Sequence, residues 1–309
     1  MSNRLTRSEY LVTYMIIITL ACFVGGFFLG AGVMKARIQS DLQASAKAEQ
    51  EALEKERLLK EQKLYRDQDF IRYYYSITVH IQELKDKHFS TAAQFSGKTK
   101  SEQKALMKEL QELAQTTRKE LEGANIASTS QLLVDSKYAY INSLDAYRAG
   151  LDQLLEKLSL GSLTPDDLLT MRNQTGFINQ WNAATALQYQ AMATWEAVYV
   201  TKQQAVPKVQ PAQVSPAQWK AYPYHMRNFL AAEALVKSQQ FYPFYPEDLT
   251  ARIDSVLQGE TATTFGWKDI DQAARMLEAT DAVRLGDFQS MRSQLYPDLK
   301  APEIPTFSK

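Results

Sequence analysis

The sequence predicts an all-α protein with a single N-terminal transmembrane helix, a helical stalk, an antiparallel four-helix bundle and a smaller C-terminal helical unit. Three observations lead to this fold class. The chain has 309 residues, 45% of them apolar, which is enough to bury a substantial core. Glycine and proline number only 12 and 10, too few for a chain built of many tight turns. Apolar side chains recur at helical spacing through most of the chain.

The N-terminal region predicts a membrane anchor. Residues 1–10 form a short tail, and residues 11–34 contain no charged side chain. As a helix this run measures about 36 Å, against about 30 Å of bilayer hydrocarbon. We therefore expect residues 11–34 to contact the lipid bilayer as a transmembrane helix. A cleaved signal peptide is an alternative, but the apolar run is too long for one. A lipoprotein acylated at Cys22 is another, but apolar residues rather than a polar tether follow that cysteine.

The charges that flank the apolar run bear on its orientation. Arg4 and Arg7 precede it, and Lys35 and Arg37 follow it. The two ends therefore carry nearly equal positive charge, and the positive-inside rule gives little preference for either orientation. A short tail with two arginines is typical of the start of a signal anchor. We therefore expect a single-pass protein of the plasma membrane, with its N-terminus inside and its soluble part extracytoplasmic.

Two glycines within the apolar run predict a self-association face. Gly26 and Gly30 form a GxxxG pair, and Cys22 lies one helical turn earlier on the same face. Small side chains at this spacing let two membrane helices approach closely, which would give a homodimer. The alternative is that these glycines have no packing role, because glycine is common in membrane helices.

Residues 35–64 predict a charged helical stalk. Ala, Glu, Lys, Gln and Leu dominate this stretch, and all five are strong helix formers. Pairs such as Glu51 and Lys55 have the favourable i,i+4 order. Apolar residues are sparse and no sustained heptad pattern occurs, so we predict a solvated helix, with a short coiled coil as the alternative.

Residues 65–205 predict a four-helix bundle. Thr99 with Glu102, and Ser128 with Gln131, have the spacing of capping boxes that would begin two of the helices. Short joints between long amphipathic helices favour antiparallel neighbours. The apolar periodicity places the four helices at about residues 65–95, 101–122, 130–158 and 165–202.

The C-terminal third predicts three further parts. Residues 206–216 contain three prolines and indicate a linker or a semi-rigid crossover. Residues 217–296 contain shorter helical patterns and predict a small helical unit. Residues 297–309 predict an extended tail, because prolines interrupt them.

Composition and motifs argue against several functional classes. Basic and acidic residues number 35 each, so no excess of positive charge favours nucleic-acid binding. His80, His88 and His225 lie outside any catalytic or metal-ligating motif, and the one cysteine lies in the apolar run. His88 falls on the apolar stripe of its helix, where a hydrogen-bonded core histidine is the ordinary case. We therefore predict no cofactor, no metal and no enzymatic activity.

A joint rich in aromatic residues and proline is the most unusual local feature. It spans residues 241–246, with the sequence Phe-Tyr-Pro-Phe-Tyr-Pro, and we call it the aromatic joint. Four aromatic rings must either pack onto the core or present an apolar patch. The first arrangement makes the joint a lid on the helical core. The second predicts a partner-binding surface formed by Phe241, Tyr242, Phe244 and Tyr245.

These features together predict a membrane-anchored, non-catalytic scaffold or interaction protein at the cell envelope, whose protein partner is unknown. The alternative is an extracytoplasmic ligand-binding or sensory helical bundle. A cavity near Trp181 or Trp195 would favour that alternative. An enzyme would instead require a cluster of ionisable groups with shifted pKa values in a cleft.

Overall fold

The computed structural model describes residues 7–61, 66–169, 171, 175–203, 206–259 and 266–307. Within these ranges all regular structure is helical, and no strand occurs. The predicted all-α class is therefore confirmed. The chain divides into two compact units, Met1–Leu58 and Leu59–Lys309.

One long helix dominates the first unit. Helix α1 spans Arg7–Glu61, 55 residues without interruption, and includes both the predicted membrane segment and most of the predicted stalk. Every described side chain from Leu11 to Met34 is exposed. Among the described residues, this helix alone is long and apolar enough to cross a membrane. No proline interrupts α1, so the apolar and the charged segments share one helical backbone.

The second unit begins with three long helical stretches. The first contains a π-helical segment, Tyr74–Thr78, between two α-helical parts. The α-helices of these stretches are α2, Asp67–Tyr73; α3, Val79–Gln94; α4, Lys100–Gly123; and α5, Gln131–Leu160. Helix α3 packs on α4, and α4 packs along α5, as expected for neighbours in a bundle.

The helix starts confirm one predicted capping box and correct the other. Thr99 begins α4 as predicted: its backbone N–H donates to Glu102 Oε2 at 2.8 Å, and its Oγ1 accepts from the Glu102 N–H at 3.3 Å. The predicted box of Ser128 with Gln131 is wrong. A turn through residues 127–130 makes Ser130 the N-cap of α5. Gln131 is therefore the first residue of α5, and its exposed side chain donates to Asp135 at 2.7 Å.

The fourth predicted helix is divided in two. Helix α6 spans Pro165–Leu169 and helix α7 spans Thr175–Trp195, and a second π-helical segment, Glu196–Val200, follows α7. Helix α7 packs along α5 on one side and against α9, Tyr224–Ser238 of the C-terminal third, on the other.

Shorter helices make up the C-terminal third. The elements are a 3-10 turn, Pro211–Gln213; α8, Pro216–Ala221; α9, Tyr224–Ser238; α10, Pro246–Gln258; α11, Ile270–Ala279; and α12, Asp287–Leu295. Helix α9 packs on α10, and α10 packs on α12.

The segments predicted as linker and tail also contact the core. Within residues 206–216, Pro211 and Val214 are buried, and the Val214 carbonyl accepts a hydrogen bond from the Ile270 N–H at 3.0 Å. The tail forms no regular helix in its described part, yet Ile304 and Phe307 are buried. Residues 308–309 lie outside the described ranges.

Two hydrophobic clusters form the core of the second unit, and neither follows the predicted domain boundary. The larger one joins the first three helical stretches and α7 to C-terminal residues such as Phe241 and Phe288. The smaller one gathers Trp219 and Leu249 with Ala193 of α7. Helix α7 therefore contributes to both clusters.

Candidate functional site

The glycines predicted for self-association lie on the exposed surface of α1. A Cβ atom added at Gly26 or Gly30 would meet nothing within 4 Å. Cys22 is exposed one turn earlier on the same face. No contact among the described residues therefore requires glycine at these positions, and self-association stays a prediction about a second helix.

The aromatic joint connects α9 to α10 and packs onto the core. Phe241 and Phe244 are buried, whereas Tyr242 and Tyr245 are half-buried. This burial agrees with the lid alternative. In this conformation the rings of Phe241 and Phe244 are not available to a partner, so partner binding stays a prediction that concerns the exposed parts of Tyr242 and Tyr245.

Phe241 lies at the centre of an aromatic cluster. Its ring centroid is 4.9 Å from that of Phe177, 5.0 Å from Trp181 and 5.2 Å from both His88 and Phe89. Aromatic pairs at such distances contribute about 0.5–1.5 kcal/mol each beyond area burial. His88 also shares a 3.0 Å hydrogen bond between its Nδ1 and the Tyr147 hydroxyl, as expected for a core histidine. Burial lowers the His88 pKa to about 3, so the ring is neutral.

A buried lysine holds the joint to α3. The Lys85 ammonium donates a 2.7 Å hydrogen bond to the Phe244 carbonyl and lies 3.9 Å from the centroid of the Tyr245 ring. Burial lowers the Lys85 pKa to about 8, although the charges of Asp248 and Glu247 oppose that shift. No sequence motif identifies this lysine. The signal that points to it is its position four residues after Ile81, on the same buried helical face.

Two acidic residues in the first turn of α10 face this lysine. Asp248 accepts hydrogen bonds from the backbone N–H groups of Tyr245 and Phe288, each at 3.0 Å, so its side chain contacts the first turns of α10 and α12. Glu247 accepts a short hydrogen bond from the Tyr189 hydroxyl of α7. Burial, followed by the negative charge of Asp248, raises the Glu247 pKa to about 7.

A cavity of about 40 Å³ lies next to these ionisable groups. Its lining includes the rings of Trp181 and Tyr140 and the side chains of Lys85 and Glu247. A cavity near Trp181 or Trp195 would favour the ligand-binding alternative, and this cavity lies beside Trp181. Two residues of the lining, Thr78 and Tyr245, have buried hydroxyl groups without a hydrogen-bond partner among the described residues.

The second π-helical segment positions a carboxylate at a helix start. Glu196 Oε2 accepts from the backbone N–H of His225 at 2.8 Å and of Met226 at 3.3 Å, in the first turn of α9. These amides have no partner within their own helix, so Glu196 caps α9 from a neighbouring element. Burial raises the Glu196 pKa to about 7, although these hydrogen bonds oppose the shift.

A third buried acid joins three C-terminal elements. Asp254 of α10 accepts from Trp219 Nε1 at 2.6 Å, and from an Arg227 guanidinium nitrogen and the Tyr296 hydroxyl, each at 2.5 Å. These bonds satisfy both carboxylate oxygens, so the group has a structural role.

No protein-family model matches the chain, and neither a curated protein nor a solved structure matches it. We therefore infer function from the residues of this chain.

Proposed function

We propose that this chain is a single-pass membrane protein of the cell envelope that binds a protein partner and has no catalytic activity. The observation that carries the proposal is the exposure of every described side chain between Leu11 and Met34 on one helix. A row of exposed Leu, Ile, Val and Phe side chains of this length is costly in water and favourable in lipid.

The charged residues at the two ends of the apolar segment support a defined depth in the bilayer. Lys35 and Arg37 follow it directly, and long cationic side chains at such positions extend toward the lipid headgroups. The short tail with Arg4 and Arg7 is typical of a cytoplasmic N-terminus, which would place residues 35–309 outside the plasma membrane.

The buried ionisable groups support a structural rather than a catalytic role. Lys85 binds a backbone carbonyl, while Asp248 and Glu196 bind backbone N–H groups at helix starts. Asp254 is held by three donors. Since these groups are engaged by the fold itself, they are poor candidates for proton transfer to a substrate.

We propose two contact regions. The face of α1 that carries Gly26 and Gly30 would pair with a second copy of the chain in the bilayer. The half-buried rings of Tyr242 and Tyr245, with the exposed Pro243 between them, would contact a protein partner. The Tyr242 hydroxyl donates to Glu278 at 2.9 Å and the Tyr245 hydroxyl is buried, so the two rings would contribute apolar contact area. Tyrosine rings are enriched at protein interfaces.

The proposed topology can be tested by labelling cysteine in intact cells. Cys22 is replaced by serine, and a cysteine is introduced at the exposed Ala217 of α8 in one variant and at Asn3 in another. With a membrane-impermeant maleimide, we expect labelling at position 217 in intact cells and at position 3 only after lysis. The reverse pattern would overturn the extracytoplasmic placement, and labelling at both positions in intact cells would contradict a membrane anchor.

A further inference from the structure

We propose that two buried glutamates, Glu196 and Glu247, make the packing of the C-terminal third on α7 sensitive to pH, so that this contact loosens as the two carboxyls ionise. The contact belongs to the second unit alone, so its pH response depends on neither membrane anchoring nor partner binding. Three features carry the proposal: the position of the two carboxyls, the shortage of positive charge around them, and the helices that they join.

Both carboxyls lie between α7 and the C-terminal third. Glu196 directly follows α7 and accepts hydrogen bonds from the His225 and Met226 N–H groups at the start of α9. Glu247, in the first turn of α10, accepts from the Tyr189 hydroxyl of α7. Each glutamate is only 5% exposed. The two groups therefore join the starts of α9 and α10 to α7 and to the π-helical segment that follows it.

The surroundings of Glu247 hold more negative than positive charge. Asp248 is its neighbour on α10, and Lys85 of α3 is the cation that faces both acids. One ammonium balances one carboxylate, so ionisation of both acids leaves a negative charge in the interior. A buried charge without a partner is strongly destabilising, and proton uptake by one of the two acids removes it.

Other groups around this acid pair do not supply the missing positive charge. Asp287 of α12 faces Asp248, and the Arg252 guanidinium pairs with Asp287 at 2.7 Å. Asp86 of α3 is a further acid, and it faces Lys85. Four tyrosine hydroxyls face the glutamate of the pair and carry no charge near neutral pH: Tyr140 of α5, Tyr189 of α7, Tyr224 of α9 and Tyr245 of the aromatic joint.

Glu196 also has only a weak counter-charge. Arg227 of α9 attracts it, but the guanidinium of that arginine already forms a 2.5 Å salt bridge with Asp254. His225 supplies a backbone N–H, while burial lowers the pKa of its ring to about 3 and leaves the ring neutral. Burial of the Glu196 carboxyl outweighs the hydrogen bonds that favour its ionised form.

Ionisation of both carboxyls weakens the contact in the same direction. The pKa of each is raised to about 7 in the folded chain, against 4.5 for an ordinary glutamate. The packed state therefore holds both protons more tightly than an opened state does. This stabilisation is complete below about pH 4.5 and is lost as the pH rises through about 7. Lys85 acts in the opposite direction only above about pH 8, because burial lowers its pKa to about 8.

Hydrogen exchange on the full chain in lipid nanodiscs, at about pH 5.5 and about pH 7.5, tests this contact. Rates are corrected for the intrinsic pH dependence of amide exchange. We expect the protection of amides in α9 and α10 to fall about tenfold or more between the two pH values. Helix α4 packs on α3 and α5 instead, so its protection should change by less than about twofold.

A double variant and a matched control identify the groups responsible. Glu196→Gln with Glu247→Gln keeps the shape and the neutral charge of the protonated carboxyls, and should remove most of the pH response. The control, Glu120→Gln with Glu156→Gln, changes two exposed glutamates and should respond like the wild type. The double variant should fold, because glutamine oxygens can accept the same hydrogen bonds, and circular dichroism checks this. If it does not fold, each single variant replaces it and should show a smaller pH response than the wild type.

Three outcomes would overturn the proposed pH response. These are unchanged protection in α9 and α10, an equal fall of protection in α4, and an undiminished response in the glutamine variants. None of them bears on topology or self-association, which the cysteine experiments measure separately.

Discussion

The Lys85 ammonium and the Phe244 carbonyl are joined by a 2.7 Å hydrogen bond across 159 positions of the sequence. The bond connects α3 to the aromatic joint, whose Tyr245 ring lies 3.9 Å from the same ammonium. Lys85 therefore holds a loop of the C-terminal third against a helix of the N-terminal bundle.

Replacing Lys85 with methionine should destabilise the second unit. The change leaves the Phe244 carbonyl without its donor and the nearby acids Glu247 and Asp248 without their positive neighbour. We expect a loss of about 2–4 kcal/mol in the free energy of unfolding, measured by chemical denaturation. Lys87→Met is the matched control, since it removes only a surface ion pair with Glu109 and should cost less than about 1 kcal/mol. Equal losses in the two variants would contradict the role of Lys85.

Glu247 should make stability fall as pH rises toward neutrality. Its pKa is about 7 in the folded chain against 4.5 for an ordinary glutamate, so the folded state holds the proton more tightly between these values. The stabilisation is complete below about pH 4.5 and is lost as pH rises through about 7. Between about pH 5 and pH 8, wild type should lose on the order of 2 kcal/mol more than Glu247→Gln. Denaturation curves at several pH values test this, and parallel pH profiles would contradict it.

Glu196 should protect the first turn of α9. In Glu196→Gln the amide oxygen can still accept from the His225 and Met226 N–H groups, whereas Glu196→Ala leaves both amides without an acceptor. We expect the alanine variant to lose about 1–2 kcal/mol and the glutamine variant clearly less. Hydrogen exchange at these two amides should accelerate in the alanine variant alone. Unchanged exchange there would show that Glu196 is not the cap.

Self-association of α1 should depend on the face that carries Gly26 and Gly30. A Cβ atom at either position meets no atom within 4 Å, so we expect the helix to form normally with isoleucine at both. In native membranes, oxidative crosslinking through Cys22 should fall about tenfold, which corresponds to a loss of about 1.4 kcal/mol in helix pairing. Gly25→Ile with Gly32→Ile is the matched control, because these glycines lie on another face of α1. Equal crosslinking in both double variants would exclude this interface.

The sequence predicted the helices well because their signals are local. The period of apolar side chains identified each long helix, and Thr99 with Glu102 fixed the start of α4. The two π-helical segments lack such a signal, because they keep an apolar stripe similar to that of an α-helix. The Ser128 prediction is wrong because a turn through residues 127–130 delays the start of α5 to Gln131. Ser130 takes the N-cap position without a side-chain capping bond.

The cavity could not be predicted in the same way. The periodicity of apolar residues shows which face of a helix is buried. It does not show which neighbouring helix that face contacts. Tyr189 and Glu247 are separated by 58 positions, and only the packing of α7 against the start of α10 brings them together. The position of Lys85 on its helix predicts that the side chain is buried. Its partner cannot be predicted, because it is the backbone carbonyl of Phe244 and a pattern of side chains carries no information about it.

The position of α7 between two hydrophobic clusters has a practical consequence for shortened forms of the chain. A truncation near residue 205 would keep all four helices of the predicted bundle. It would remove α9, however, and expose to solvent the side of α7 that α9 covers. The shortened product would also lose Phe241 from the centre of its aromatic cluster. We expect such a fragment to aggregate or to be degraded, so the C-terminal third is part of the minimal folding unit rather than a removable appendage.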